Sequence, residues 1–194
     1  MMLPGFDTGG GALPYDLEML LRLSEALPDV RNIVGIGNAF GYSTTAIALL
    51  FPAARVTVID AEAEGRANRR GSNITRSIAA TRGLNVSVLN GFSPFEVPGL
   101  LSGAGVSSPI DIAFIDGLHT MAQQYMDFHV LWPRMRPERH VIILHDVRLC
   151  NLERSLDLIR EHYAPGNVRE YAAVNGCNLF GTHIATPREG VLSF

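Results

Sequence analysis

The sequence predicts a doubly wound α/β fold, a seven-stranded, mainly parallel sheet with helices on both faces and a C-terminal antiparallel hairpin. Three observations predict it. Five short apolar, β-branched-rich runs alternate with helical stretches, and parallel strands need such crossovers, which are right-handed. Several of these runs end in an acid, an amide or a histidine, which is where open parallel sheets place their chemistry. The last two runs are joined by Asn175-Gly176-Cys177-Asn178, whose Asn-Gly step signals a hairpin.

Each element has its own signal. Residues 13–27 carry Leu17, Leu20, Leu21 and Leu27 with Glu18, Arg22 and Glu25 between them, an amphipathic helix closed by Pro28. The first strand covers residues 32–36 and leads through a glycine turn into a helix over 44–50; the second covers 55–59 and ends at Asp60. A polar helix over about residues 62–80 stops near Arg82-Gly83 and precedes a third strand over 85–89 and the loop Asn90-Gly91-Phe92-Ser93-Pro94. A weak helical segment and the linker 102–109 lead to the fourth strand, 110–115. A helix over about 121–132 precedes the fifth strand, 140–144, and another over 152–162 precedes hairpin strands at 168–174 and 179–185. Phe128 and Trp132 read as core, and His140, His162 and His183 as structural or exposed.

Composition bounds the class. With 194 residues, 47% hydrophobic and 18% charged, the chain suits a single domain over residues 1–194, its Gly-rich residues 1–12 expected to be flexible, with a lid over the site as the alternative. A net charge of -3 argues against a nucleic-acid partner, and the basic cluster at Arg66, Arg69 and Arg70 reads as a solvated helix face beside Glu62 and Glu64. Cys150 and Cys177 are too few for a disulfide framework or a Cys-based zinc module, and both are expected reduced and buried. No signal peptide or membrane-length apolar stretch is present, so no membrane partner is expected and a cytoplasmic location is.

The chemistry-bearing residues sit at the strand ends. In Ile33-Val-Gly35-Ile-Gly37-Asn38-Ala39-Phe40-Gly41-Tyr-Ser43 a strand runs into a glycine turn and a helix, a geometry that lets backbone N–H groups approach an anionic ligand. Phe40 stands where the dinucleotide fingerprint needs its third glycine, which disfavours a nicotinamide oxidoreductase. Asp60, about twenty residues past the glycines, suits a ribose diol, although it also reads as a helix N-cap. Gly91 permits close approach, and Phe92 suits either a purine cover or the core. Asp116 and His119 follow the fourth strand, and His145-Asp146 the fifth, a set able to hold a divalent ion and take up a proton; helix capping by the two acids is the plainer alternative.

Taken together, Gly37-Asn-Ala-Phe-Gly41-Tyr-Ser-Thr44, Phe114-Ile-Asp116-Gly-Leu-His119 and Ile142-Ile-Leu-His145-Asp146-Val147 give the chain a familiar outline. Over residues 16–185 it resembles the Rossmann-like class I S-adenosylmethionine-dependent methyltransferases. Nearest is the small-molecule O-methyltransferase branch with an Asp-Gly-x-His motif, similar to cation-dependent catechol-type and macrolide-sugar enzymes. The resemblance implies that Gly37, Asn38, Gly41 and Ser43 hold the methionine part of S-adenosylmethionine, Asp60 its ribose, and Gly91, Phe92 and Ser93 its adenine, with Asp116 nearest the sulfonium. It further implies a divalent cation (Mg²⁺, Mn²⁺ or another transition metal) at Asp116, His145 and Asp146, and His119 as base.

The sequence departs from that pattern in three places. Gly35 stands where many relatives have an acid, Ala39 replaces the usual middle glycine, and His145 replaces a carboxylate, which suits transition metals better than Mg²⁺. The expected function is methyl transfer to a small-molecule hydroxyl. The alternative is a non-catalytic S-adenosylmethionine-binding domain that works through protein contacts. Short relatives often complete their sites by pairing, so a homodimer is compatible with the chain.

Overall fold

A computed structural model describes residues 14–62, 70–106, 109–163, 167–172 and 181–187. In chain order the elements are α1 (Pro14–Ala26), β1 (Asn32–Ile36), α2 (Tyr42–Leu50), β2 (Arg55–Asp60), α3 (Arg70–Arg82), β3 (Val86–Asn90), α4 (Val97–Gly103), β4 (Ile112–Ile115), α5 (Met121–Leu131), β5 (Val141–Leu144), α6 (Glu153–Tyr163), β6 (Asn167–Glu170) and β7 (His183–Thr186). The seven strands form one sheet in the order β3-β2-β1-β4-β5-β7-β6. The first five are mutually parallel, and β7 pairs antiparallel with both β5 and β6. This is the predicted doubly wound sheet.

Its two faces can be read off single strands. Ile33, Ile112, Phe114, Val141 and Ile143 pack with Met19, Leu20 and Leu23 of α1 and Ile47 of α2. Their neighbours Val34, Ala113, Ile115, Ile142 and Leu144 pack on the other side against Leu101 of α4, Phe128 and Leu131 of α5 and Ile159 of α6. Strand residues alternate between faces, and both faces are apolar, so the strands read as unbroken hydrophobic runs.

Register determines where the site lies. Ile36 stands opposite Ile59 and Ile115, Ile115 opposite Leu144, and Asp60 opposite Asn90. One step beyond Leu89, Ile59, Ile36, Ile115 and Leu144, the residues Asn90, Asp60, Gly37, Asp116 and His145 therefore form a row along the carboxyl edge. The chain reverses its direction of travel across the sheet between β1 and β4, the switch point where such folds open a crevice.

Several boundaries differ from the sequence reading. Leu21 is exposed, and the buried face of α1 is Tyr15, Asp16, Met19, Leu20 and Leu23, because the true stripe follows the i, i+3, i+4, i+7 spacing from Asp16. The described part of the third helix starts at Arg70, not Glu62, whose φ of 53° is left-handed; Arg66, Arg69 and Glu64 lie outside the described residues. The fourth strand starts at Ile112 rather than Ile110, because Asp111 turns its carboxylate onto the backbone N–H groups of Arg31 and Asn32. The fifth starts at Val141, leaving His140 buried beside it with its ring edge-on to Trp132. The antiparallel pair closes the sheet as expected but is shorter, at 167–170 and 183–186, and the Asn175-Gly176 turn and Cys177 lie outside the described residues. Residues 1–12 do too. Cys150 is half-buried rather than buried. No helix among the described residues is long and apolar enough to cross a membrane.

Candidate active site

The glycine turn after β1 is clamped between two strand ends. Gly37 has φ +92°, and a Cβ there would lie 2.0 Å from the carbonyl oxygen of Asp116, so both conformation and space demand glycine. Asp60 Oδ2 accepts from the backbone N–H of Asn38 at 2.6 Å and of Ala39 at 3.2 Å, and its Oδ1 from Glu62 N–H at 2.6 Å. These bonds fix the carboxylate against the turn, and with about four lone-pair sites it retains acceptor capacity for a ligand hydroxyl. Asp60 is thus a clamp on the turn and not a helix N-cap. Ala39 takes a left-handed φ of 44°, the conformation for which a glycine would be expected.

Asn38 differs from its neighbours. Its side chain is buried and donates to Thr75 Oγ1 and the Ala39 carbonyl while accepting from Thr44 Oγ1, so it ties the turn to α2 and α3. Its backbone is tied as well, the N–H to Asp60 and the carbonyl to the Gly41 N–H at 2.6 Å. Gly41, at φ +79°, precedes α2, and Ser43 is half-buried in that helix's first turn. After β3, Gly91 is buried, whereas Phe92 is exposed, which removes the core reading for that ring. Ser93 is held by Gln123, whose Nε2 donates to its carbonyl at 2.9 Å and its Oγ at 3.1 Å.

The acids and imidazoles predicted after β4 and β5 meet in one cluster. His119 Nε2 lies 3.3 Å from Asp116 Oδ1 and 3.0 Å from Asp146 Oδ2. His145 Nδ1 lies 3.2 Å from Asp116 Oδ1 and 3.3 Å from Asp146 Oδ1. Capping does not explain this arrangement. The side chain of Thr120 caps α5, and Asp146 sits at φ 55°, well before α6 begins.

Electrostatics follow from the geometry. Hydrogen bonds to Asp116 and Asp146 raise the His119 pKa to about 10 against the effect of burial. Burial disfavours a charged His145, yet the charge and hydrogen bonding of Asp116, then Asp146 and Asp16, outweigh it and hold this imidazole protonated well above its usual range. Burial likewise opposes ionisation of Asp116 and Asp146, and their histidine partners prevail, keeping both carboxyls below the usual range. Without another cation, the two imidazolium groups neutralise the carboxylates.

Such a set also fits a metal ion. Ligand atoms of Asp116, His145 and Asp146 all lie within 4.8 Å of one another, and Asp146 Oδ1 is buried without a well-aligned hydrogen bond. Two oxygens and an imidazole suit a transition ion at least as well as Mg²⁺.

The sequence model of a family described as a methyltransferase domain matches residues 34–147, which run from within β1 to just past His145-Asp146. The chain belongs to this methyltransferase-domain family. Among curated proteins, none matches its sequence. Solved structures do resemble it. An O-methyltransferase from Bacillus cereus in complex with SAH is 23% identical, with TM-score 0.65, over 90% of this chain and 80% of that one. The O-methyltransferase TomG from Streptomyces achromogenes, in complex with SAM, is 20% identical, with TM-score 0.69, over 94% and 84%. A methyltransferase from Geobacter sulfurreducens is 17% identical, with TM-score 0.63, over 90% and 79%. At these identities the likeness establishes the shared fold.

This methyltransferase domain also uses residues that the sequence reading passed over. Asp16 of α1 is fully buried, places Oδ1 3.5 Å from His145 Nε2 and accepts from Thr182 Oγ1 at 3.1 Å. The signal was present, since Asp16 shares the apolar stripe of Met19, Leu20 and Leu23. Gln124, also buried, donates to the backbone carbonyl of His145 at 3.0 Å and is itself held by Ser155 Oγ. No local pattern marks Gln124 or Thr182, whose roles arise from tertiary packing.

Proposed function

We propose that the chain is a single-domain S-adenosylmethionine-dependent O-methyltransferase that methylates a hydroxyl of a small molecule, assisted by a divalent cation. The observation that carries this reading is the meeting of Asp116, His119, His145 and Asp146 at the switch point, one strand from the Gly37 turn. Bound S-adenosylmethionine supplies an electrophilic methyl group, and a divalent ion supplies a positive charge that orients the acceptor oxygen and lowers its pKa.

The chain's own residues have separable roles. Gly37, Gly41, Ser43 and the Asn38 backbone line the methionine side of the cofactor, Asp60 accepts from its ribose, and Gly91, Phe92 and Ser93 flank its adenine. Phe92 supports this by its exposure at the mouth, where a ring is free to cover a base. Asp116, His145 and Asp146 hold the cation. His119 takes the acceptor's proton once the cation, rather than the imidazolium, balances the carboxylates. Leu118 and Leu149, exposed on the loops that carry these residues, and Met121, exposed at the start of α5, favour a partly apolar acceptor.

Calorimetry with S-adenosylmethionine and its demethylated product, followed by transfer assays on hydroxylated acceptors with and without Mg²⁺ or Mn²⁺, tests this reading. Cofactor binding and metal-dependent methylation are expected. Failure to bind either form of the cofactor overturns it, and binding without transfer across the panel favours a non-catalytic cofactor-binding domain.

A further inference from the structure

Cys150 lies beside the cluster and has no part in the reaction described above. Its backbone N–H donates to the Asp146 carbonyl at 2.9 Å, one helical turn on, which brings the thiol to the same side of the loop as the Asp146 carboxylate. The thiol is free and half-buried. Cys150 Sγ, a His119 ring nitrogen and an Asp146 carboxylate oxygen all lie within 4.8 Å of one another. Asp146 is only 7% exposed, and its two oxygens face different partners, Oδ1 towards His145 and Oδ2 towards His119.

We propose that His119, Asp146 and Cys150 form a second cation site, overlapping the first, for thiophilic divalent ions of the Zn²⁺ or Cd²⁺ type, and that filling it blocks methyl transfer. The donor set is one thiolate, one imidazole and one carboxylate, which with a water completes the four-coordinate sphere Zn²⁺ favours. Zn–S bonds of about 2.3 Å and Zn–N or Zn–O bonds of about 2.0 Å place tetrahedral ligands about 3.3–3.6 Å apart. His119 Nε2 and Asp146 Oδ2 are already at 3.0 Å, and Cys150 Sγ lies within 4.8 Å of both groups, so it has at most about 1.3 Å to close.

Softness sorts the two sites. Thiolate selects Zn²⁺-like ions, whereas the Asp116, His145 and Asp146 set has no sulfur and suits Mn²⁺ and its kind. Asp146 belongs to both, with one oxygen facing each, so an ion in the second site lies directly beside the first. A thiophilic ion also ties up the imidazole of His119. On binding, the Cys150 thiol and His119 imidazolium release their protons to solvent, leaving a neutral complex of one dication and two anionic ligands. Ion binding stands on the geometry alone; the block of catalysis rests on the methyltransferase reading with His119 as base.

The test titrates the cofactor-free protein with Cd²⁺ and follows the ultraviolet sulfur-to-cadmium charge-transfer band. A saturable band is expected from the wild type and from Cys177→Ser, and none from Cys150→Ser or Cys150→Ala. His119→Ala should weaken Cd²⁺ binding by at least the roughly 10–100-fold that loss of even an outer partner costs. In transfer assays run with Mn²⁺, Zn²⁺ should inhibit the wild type, while Cys150→Ser keeps its turnover and loses the inhibition. A wild type without the band, a band that survives Cys150→Ser, or Cd²⁺ affinity unchanged in His119→Ala overturns the site. Turnover that Zn²⁺ leaves unaffected overturns the block. The band with both dependences but no methyl transfer by any form supports the site and counts against the methyltransferase reading.

Discussion

Replacing Asp127 by Asn should change how stability responds to pH, by an amount set by where the carboxyl sits. Asp127 lies on α5 at 1% exposure; its Oδ1 accepts from Gln123 Nε2 at 2.9 Å, and its Oδ2 has no hydrogen-bond partner among the described residues. Burial raises its pKa from 3.8 to about 6, against hydrogen bonds from Ser93 and Gln123. Between those values the folded chain keeps a proton that the unfolded chain has lost. The group therefore costs nothing below the unfolded value, costs more as pH rises through the window, and costs a constant amount above about 6. A rise of about two units at roughly 1.4 kcal/mol each makes the full cost about 3 kcal/mol, of which about 1.4 kcal/mol accrues between about pH 5 and pH 8. The amide keeps an acceptor for Gln123 and cannot ionise, and any cost of burying its NH₂ end does not vary with pH. Denaturant unfolding of wild type and Asp127→Asn at both pH values isolates the effect, because other titrating groups are common to the two proteins. The difference should move in favour of the variant by about 1.4 kcal/mol on going to the higher pH, or roughly 3–6 °C in melting temperature. A difference that stays constant with pH would refute the claim that the buried ionised carboxyl is the destabilising element.

Three further outcomes follow from the geometry. Gly37→Ala forces a left-handed alanine, at about 1–3 kcal/mol, and drives a methyl into the Asp116 carbonyl; calorimetry should show cofactor binding lost, and denaturant melts a lower midpoint. His119→Gln should lower kcat by roughly 10²–10⁴-fold while leaving affinity for the demethylated cofactor near wild type, and an equal loss in both would argue against the base role. Asp16→Asn removes the carboxylate behind His145, and should lower stability by about 1–3 kcal/mol in denaturant melts and weaken Mn²⁺ binding measured by calorimetry. Unchanged Mn²⁺ affinity in that variant would make Asp16 a purely structural residue.

The fold was legible in the sequence wherever a strand is buried on both faces. Ile33-Val34 and Val141-Ile-Ile-Leu144 feed one apolar cluster on each side of the sheet, so their hydrophobicity is unbroken and their position unmistakable. Boundaries were harder. Asp111 and His140 each flank a strand in a run that continues the apolar pattern, yet both carry side chains committed to backbone partners, Asp111 to Arg31 and Asn32 and His140 to the Arg136 carbonyl. Asn38 holds the place in the glycine turn that the sequence marks, while its side chain meets Thr44 and Thr75 in the interior. Sequence position shows which residues reach a turn; it does not show which way their side chains face.

The same distinction explains why the cluster was predicted and its support was not. Strand ends place Asp116 and His145 side by side through register alone, since Ile115 pairs with Leu144, so residue type and position suffice to predict their meeting. Asp16 and Gln124 come from α1 and α5, and Thr182, which anchors Asp16, from just before β7; only the packing of helices on both faces brings them around His145. They hold the imidazole by two handles: Asp16, itself anchored by Thr182, at Nε2, and Gln124 at the backbone carbonyl. With Nε2 directed at Asp16, the ring presents Nδ1 to Asp116 and Asp146, the side on which a cation would bind. A carboxylate behind an imidazole raises its basicity as a ligand. His145 is thus backed by an acid from α1, and were a cation bound at Nδ1, Asp16 would supply from behind the negative charge that an imidazole ligand lacks.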